Sequence, residues 1–274
     1  MAVLALGAVR VHYAEAGAGR PGPPVVLLHS GSNSGAQWGG VAARLAADFP
    51  VLAPDLYNCG ETSPWPGPGP LTFDAEADLV AALVERAGGT AHLVGHSYGG
   101  GVALRLALTR PGSVRGLVLI EPPAYPLLAA RDPDRHGEYA GTRDAFLAAA
   151  AAGDPAPAWR RFIDHYHGRA GAWEALSERA RRSLAARTAA QVAVYQAQEG
   201  NPTTAADLAR LGPETLVLHG ETTTPAERAI CDLIARAAPA CRTAVIAGAG
   251  HMAPLTHPDA VARAIAGHLA GLAG

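Results

Sequence analysis

The chain has 274 residues, 49% of them hydrophobic and 17% charged, with 32 Gly and 22 Pro; that balance supports a sizeable buried core and excludes a disordered polypeptide, a collagen-like repeat and a coiled coil. A formal net charge of −2 leaves no electrostatic footprint for nucleic acid. All 22 basic residues are Arg, which excludes a Schiff-base lysine, a lysine-anchored pyridoxal phosphate and a Walker-A phosphate loop.

In chain order, the pattern opens with strands over Val3 to Leu6 and Val9 to Ala16, the second alternating Val9, Val11 and Tyr13 against Arg10 and His12. Val25 to His29 is a continuous apolar run, expected of a strand buried on both faces. A Gly/Ser loop and a helix near Ala36 to Ala47 follow, then a strand over Val51 to Pro54 and a Pro/Gly-rich loop over Asp55 to Pro70. Asp74 to Arg86 reads as a helix closed by Gly88-Gly89. Ala91 to Gly95 is another buried strand, running directly into a helix that reaches Arg110, and Val114 to Ile120 is the next strand. Between Pro122 and Leu211 the strand pattern stops, and helical periodicity predicts helices over Arg143 to Ala152, Ala156 to His167, Ala172 to Ala186 and Ala189 to Gln198. Alternation resumes with Leu216 to His219 (strand), Pro225 to Ala238 (helix), Arg242 to Ala247 (strand) and Pro258 to Leu272 (helix).

Repeated strand–helix units predict an α/β fold, a mostly parallel sheet with helices on both faces. Residues 122–211 read as a helical cap inserted into a core made of 1–121 and 212–274. In such sheets functional groups gather at the carboxyl ends of the strands. Cys59, Cys231 and Cys241 are too few and too scattered for a disulfide framework or a cysteine metal site, and are expected as free thiols. Met1 to Arg10 lacks the basic and apolar regions of a secretory signal, and no apolar run reaches about 18 residues, so the expected setting is cytoplasmic with no membrane partner. His92 and His96, or His165 and His167, do not have the spacing of a zinc site, and no metal and no cofactor is expected.

The strand over 91–95 runs straight into Gly95-His96-Ser97-Tyr98-Gly99-Gly100 and a helix. This is a G-x-S-x-G elbow in its strand–turn–helix context, with Ser97 as the candidate nucleophile at a helix N-terminus. Three further segments accompany it: Val25-Val26-Leu27-Leu28-His29-Ser30-Gly31, Pro54-Asp55-Leu56-Tyr57-Asn58-Cys59-Gly60-Glu61-Thr62-Ser63 and Gly248-Ala249-Gly250-His251-Met252-Ala253-Pro254. In order and content these resemble the α/β-hydrolase superfamily over the whole chain, with its His-Gly oxyanion loop, its Pro-Asp loop and the loop that carries its histidine. Ser30 departs from the pattern, which usually has Gly there.

The resemblance implies an eight-stranded hydrolase sheet and a nucleophile activated by His251, since serine is a weak nucleophile until a base takes its proton. It also implies an oxyanion hole from the backbone N–H groups of Gly31 and Tyr98. His29, His96, His219 and His257 read as structural. The acid is where the chain departs from the commonest arrangement. The usual Asp, a few residues past the strand 216–219, is replaced by Thr223 in His219-Gly220-Glu221-Thr222-Thr223-Thr224-Pro225. Glu121, directly after the strand 114–120, occupies a position that some superfamily members use, including certain haloalkane dehalogenases; Glu221 is the competing carboxylate. Ser30 and the cap aromatics Trp159, Phe162 and Tyr166 are candidate substrate contacts, drawn from a set that also includes Phe146, Trp173 and Tyr195. The residues together predict a serine hydrolase acting on an ester, thioester or lactone of a small, largely apolar molecule through an acyl-enzyme. Ser97 in place of Asp argues against dehalogenase or epoxide-hydrolase chemistry. A carbon–carbon bond hydrolase on the same residues and a non-catalytic ligand-binding protein are the alternatives. The expected partner is a small-molecule substrate, with the oligomeric state left open.

Overall fold

In the computed structural model, which describes residues 1–272, eight strands form one sheet in the order β1-β2-β4-β3-β5-β6-β7-β8. The strands are β1 Ala2–Leu6, β2 Val9–Ala16, β3 Val25–Leu28, β4 Val51–Pro54, β5 Ala91–His96, β6 Val114–Ile120, β7 Thr215–Gly220 and β8 Cys241–Ile246. Strand β2 runs antiparallel to β1 and to β4, and the pairs from β4 through β8 are parallel. The apolar runs explain the burial. Every residue of β3, β5 and β7 is buried, as expected of central parallel strands covered on both faces. Successive side chains in β5 and β6 serve opposite faces: Leu93, Leu117 and Leu119 join one core cluster, and Val94, Val118 and Ile120 the other.

On one face, α1 (Gly39–Leu45) packs against α12 (Pro258–Ala270), with α11 (Ala253–Thr256) between them in the chain and Trp38 fully buried beneath. The opposite face is covered by α2 (Phe73–Arg86), α3 (Tyr98–Thr109) and α10 (Pro225–Ala237). Thr72 caps α2 by accepting the Ala75 amide, and Thr224 caps α10 by accepting from Glu227 with Pro225 at the first turn.

Residues 122–211 carry α4 (Tyr125–Arg131), α5 (Pro133–Ala151), α6 (Pro155–Tyr166), α7 (Glu178–Ala185), α8 (Thr188–Glu199) and α9 (Ala205–Leu208), and no strand among the described residues. Two sequence expectations are corrected here. Helix α5 starts ten residues before the expected Arg143, because Asp132 accepts the Arg135 amide and Pro133 sits in the first turn, a start signal masked by Gly137 and Gly141. The expected helix from Ala172 begins only at Glu178. The Asp164 carboxylate takes the amides of Gly171 (3.2 Å) and Trp173 (3.0 Å), and Gly168 and Gly171 both have positive φ, so the backbone turns instead of coiling. The three cysteines are free, as expected.

The elbow depends on absent Cβ atoms. A Cβ on Gly95 would run into the Gly99 carbonyl, whereas Gly267, exposed in α12, has nothing within 4 Å. Gly95→Ala is therefore expected to destabilise by about 3 kcal/mol or more. Gly267→Ala should stabilise by about 0.5–1 kcal/mol through helix propensity. Urea unfolding with an unchanged slope checks both; equal stability of the two variants contradicts the close-packed elbow.

Candidate active site

Between the end of β5 and the start of α3, Ser97 adopts φ 50° and ψ −122°, a conformation that non-glycine residues rarely hold. The surroundings fix it there. The Ser97 amide donates to the Ile120 carbonyl at 2.8 Å and the Gly99 amide to the His29 carbonyl at 3.0 Å. Tyr98 opens α3 and points its ring into the core, where its hydroxyl donates to Glu76 Oε1 at 3.1 Å. Glu76 also accepts the Tyr57 amide at 3.2 Å and is wholly buried; burial pushes its carboxyl up to about 8, against the opposing effect of those two donors. A neutral acid therefore anchors the helix that carries the candidate nucleophile.

Glu121, immediately after β6, also has positive φ (46°) and is buried. Its Oε2 lies 2.6 Å from His251 Nδ1 and accepts the Thr223 hydroxyl at 2.6 Å, while its Oε1 accepts the Gly220 amide at 2.8 Å. Burial alone would raise the carboxyl. The His251 ring, Thr223 and Gly220 outweigh it and hold Glu121 below the ordinary range. For His251, burial works toward a lower value, but the hydrogen bond and charge of Glu121 prevail and raise it. Thr223 thus donates to the same carboxylate that is paired with His251. Glu221 is elsewhere: it is exposed, and its Oε2 accepts the Gly248 amide at 2.7 Å, holding the loop that precedes His251.

Ser97 and His251 line one cavity of about 120 Å³ together with Ser30, Gly31, Trp159, Phe162 and Tyr166. Gly31 and Tyr98 keep their amides free of protein acceptors among the described residues. Tyr98 is the first residue of a helix, where no helical acceptor exists. Phe146, Trp173 and Tyr195 do not line this cavity; Phe146 packs edge-on against Trp159 at 5.2 Å and Tyr195 at 5.5 Å in the core of the helical segment. The Tyr166 ring lies 4.6 Å from that of His251.

Sequence reasoning missed α8 as a lining element. Arg187, just before it, donates to the Ser32 carbonyl at 3.0 Å, and the Ser32 hydroxyl donates to Gln191 at 2.9 Å. Both bonds tie the helical segment to the loop that holds Gly31. No motif announces them, because they span 155 and 159 residues of chain. Of the histidines read as structural, His29 has its Nδ1 donating to the Ser30 carbonyl (2.7 Å) and its Nε2 accepting the Leu56 amide (3.0 Å), with burial lowering the ring to about 4.

A mostly parallel sheet with a strained serine between strand and helix, sharing a cavity with a histidine paired to a carboxylate, is the arrangement of the α/β-hydrolase class. The comparisons agree: the alpha/beta hydrolase family matches residues 25–264, and the chain belongs to that family. It is 30% identical over 252 residues to a pimeloyl-[acyl-carrier protein] methyl ester esterase of Aeromonas hydrophila, covering 87% of this chain and 92% of that one. It is 40% identical over 142 residues to lipase LipV of Mycobacterium tuberculosis, where the match spans half of each chain, 51% of this one and 50% of the lipase. Among solved structures, a thermophilic esterase from Thermogutta terrifontis superposes with a TM-score of 0.73 at 25% identity, covering 96% of this chain and 94% of the other. Among the described residues no helix is long and apolar enough to cross a membrane.

The state of Glu76 has a measurable consequence. Its folded value, about 8, lies above the ordinary 4.5, so the folded protein keeps a proton that the unfolded chain releases. The stability this group contributes is fully present below about pH 4.5 and is lost as pH rises toward 8. Glu76→Gln removes that loss. Relative to wild type, the variant should gain stability steadily between about pH 5 and pH 8 in urea titrations; a constant difference across that range would show that Glu76 is ionised in the fold.

Proposed function

We propose that this chain is a cofactor-independent serine hydrolase that cleaves an ester, thioester or lactone of a small, largely apolar molecule. The observation that carries this reading is the 2.6 Å contact of Glu121 Oε2 with His251 Nδ1, in a cavity shared with Ser97. In this reading His251 Nε2 takes the Ser97 hydroxyl proton as Oγ attacks the substrate carbonyl. The tetrahedral oxyanion then accepts hydrogen bonds from the amides of Gly31 and Tyr98. As the intermediate collapses, the imidazolium returns that proton to the leaving alcohol or thiol. Water, deprotonated in turn by His251, releases the acid and restores Ser97. Glu121 holds the Nδ1–H tautomer and stabilises the imidazolium.

Residues 122–211 act as the cap over the core of 1–121 and 212–274, with Trp159, Phe162 and Tyr166 offering an apolar wall and Ser30 the polar edge of the cavity. The esterase named among the relatives supports ester chemistry, as does the lipase. The apolar walls and small cavity favour a short acyl group.

Acyl p-nitrophenyl esters of increasing chain length test the reading directly. The wild type should show turnover, and a sulfonyl fluoride should abolish it with a single adduct on Ser97 by peptide mass spectrometry. A ligand-binding protein would give neither turnover nor adduct.

Glu121→Gln should lower kcat about 10²–10⁴-fold, as removal of the acid does in serine-protease triads. Because Glu121 raises the His251 ring, removing its charge should also move the acid limb of the pH–rate profile to lower pH. Glu221→Gln, which leaves His251 Nδ1 paired, should stay close to wild type in kcat. The reverse ranking of the two variants would reassign the acid.

A further inference from the structure

Gln37 lies between the two halves of this site. It is buried, at 3% exposure, on the turn that precedes α1. Its Oε1 accepts three bonds from the candidate oxyanion loop: the Ser30 amide (3.1 Å), the Ser30 hydroxyl (2.7 Å) and Asn33 Nδ2 (3.1 Å). Its Nε2 donates to His96 Nδ1 at 3.0 Å, and His96 Nε2 in turn donates to the main-chain carbonyl of His251 at 2.8 Å. His96 is wholly buried, and burial drives its ring down to about 3, with the His251 charge acting the same way. It is therefore neutral with its one proton on Nε2, and Nδ1 must accept. Only a donor can face Nδ1, and Gln37 supplies it.

We infer that Gln37 is a positioning residue, which sets the oxyanion loop and the His251 backbone in register through one side-chain amide and the His96 ring. The inference rests on the hydrolase reading above and adds a residue to it. Glu121 holds the His251 ring at Nδ1, and the Gln37–His96 chain holds its main chain at the carbonyl. The same amide oxygen holds the loop that carries Gly31. The Ser30 departure from the usual glycine also acquires a physical role, because its hydroxyl supplies one of the three bonds to Oε1. Gln37 touches neither the cavity nor the reacting atoms, so its effect passes through other residues. Small displacements of such groups cost rate more than binding, since transition-state geometry is stricter than ground-state geometry.

Two substitutions separate positioning from mere packing. Gln37→Met keeps length and volume but removes every bond. It should lower kcat about 10–100-fold on a short p-nitrophenyl ester, with KM within about threefold of wild type. Gln37→Glu keeps an acceptor for Ser30 and Asn33. While the introduced carboxyl and the His96 ring share one proton, both the bond between them and the bond to the His251 carbonyl survive. When that proton leaves, two acceptors face each other. The ionisable groups acting on His96 from its surroundings are His251, Glu121 and His29, and all three are common to the variant and the wild type. The ratio of variant to wild-type kcat should therefore start near one at low pH and fall as pH rises, whereas Gln37→Met should be impaired throughout.

A kcat for Gln37→Met within twofold of wild type, or a loss confined to KM, overturns the positioning role. So does a Gln37→Glu ratio that does not change with pH, which stands as the test even where the methionine variant does not fold. Those outcomes leave the wild type active and the hydrolase reading intact. An inactive wild type overturns that reading and this inference together.

Discussion

The buried contact between Glu121 and His251 sets the conditions for everything around it. A carboxylate taken out of water costs several kcal/mol unless its oxygens are satisfied. Here each oxygen is satisfied from an element that the sheet order brings alongside: His251 from the loop after β8, Gly220 from the end of β7, Thr223 from the turn after β7. Strand β6 lies between β5 and β7, so a residue just past its end is the natural neighbour both of Ser97, after β5, and of the loop beyond β7. The positive φ at Glu121 is the local strain accepted to turn its side chain into that position. With this carboxylate at the end of β6, Thr223 after β7 is placed to supply it with a hydroxyl donor.

The helical segment of residues 122–211 lines the same cavity as Ser97 and His251. Its connections run to the loop that carries Gly31: Arg187 to the Ser32 carbonyl, Gln191 to the Ser32 hydroxyl, and Val194, which would be struck by any Cβ placed on Gly31. A glycine at 31 thus serves two purposes, leaving room for α8 on one side and keeping an amide accessible on the other. The cavity between them is lined on its far side by α6, whose aromatics Trp159, Phe162 and Tyr166 pack in a row of edge and tilted contacts. That packing gives the wall rigidity, and its two polar atoms are engaged, the Trp159 indole N–H with the Thr188 hydroxyl and the Tyr166 hydroxyl with that of Tyr125.

The sheet and the elbow were legible because their signals are local. Four-residue apolar runs such as Val25–Leu28 and Val51–Pro54, and the glycines bracketing Ser97, announce themselves within a few positions. Glu121 was also legible, but only by resemblance and by the absence of Asp at Thr223; nothing in Leu119-Ile120-Glu121-Pro122 says what the carboxylate faces. Helix bounds in 122–211 were less legible, because side chains competed with periodicity: Asp164 captures two amides and ends a helical pattern that composition alone would continue. Gln37 and Arg187 were invisible for a different reason. Each acts through partners brought near by topology, and a glutamine before a tryptophan or an arginine at a helix start carries no spacing signal of its own.

The groups around the pair share one property, which follows from dielectric considerations. Burial lowers His29 and His165 to about 4 and His96 to about 3, while it raises Glu76 to about 8 and Glu227 above its ordinary value. All five move toward their neutral forms. A site with several buried charges would divide the His251 proton's energetics among them, and each would respond when the ring became charged. With the neighbours shifted toward neutrality, the charge that the imidazole meets is chiefly that of Glu121, whose hydrogen bond and field together outweigh burial. Glu227, whose Oε1 accepts the Tyr125 hydroxyl at 2.7 Å, is a second negative group that acts to raise the ring. Burial opposes that charge by raising the Glu227 carboxyl, against the opposing effects of the His251 ring and the Tyr125 hydroxyl. Burial of Glu227 beside the Tyr125–Tyr166 hydroxyl pair thus works against the second carboxylate's charge, and Glu121 is the carboxylate bonded to the ring.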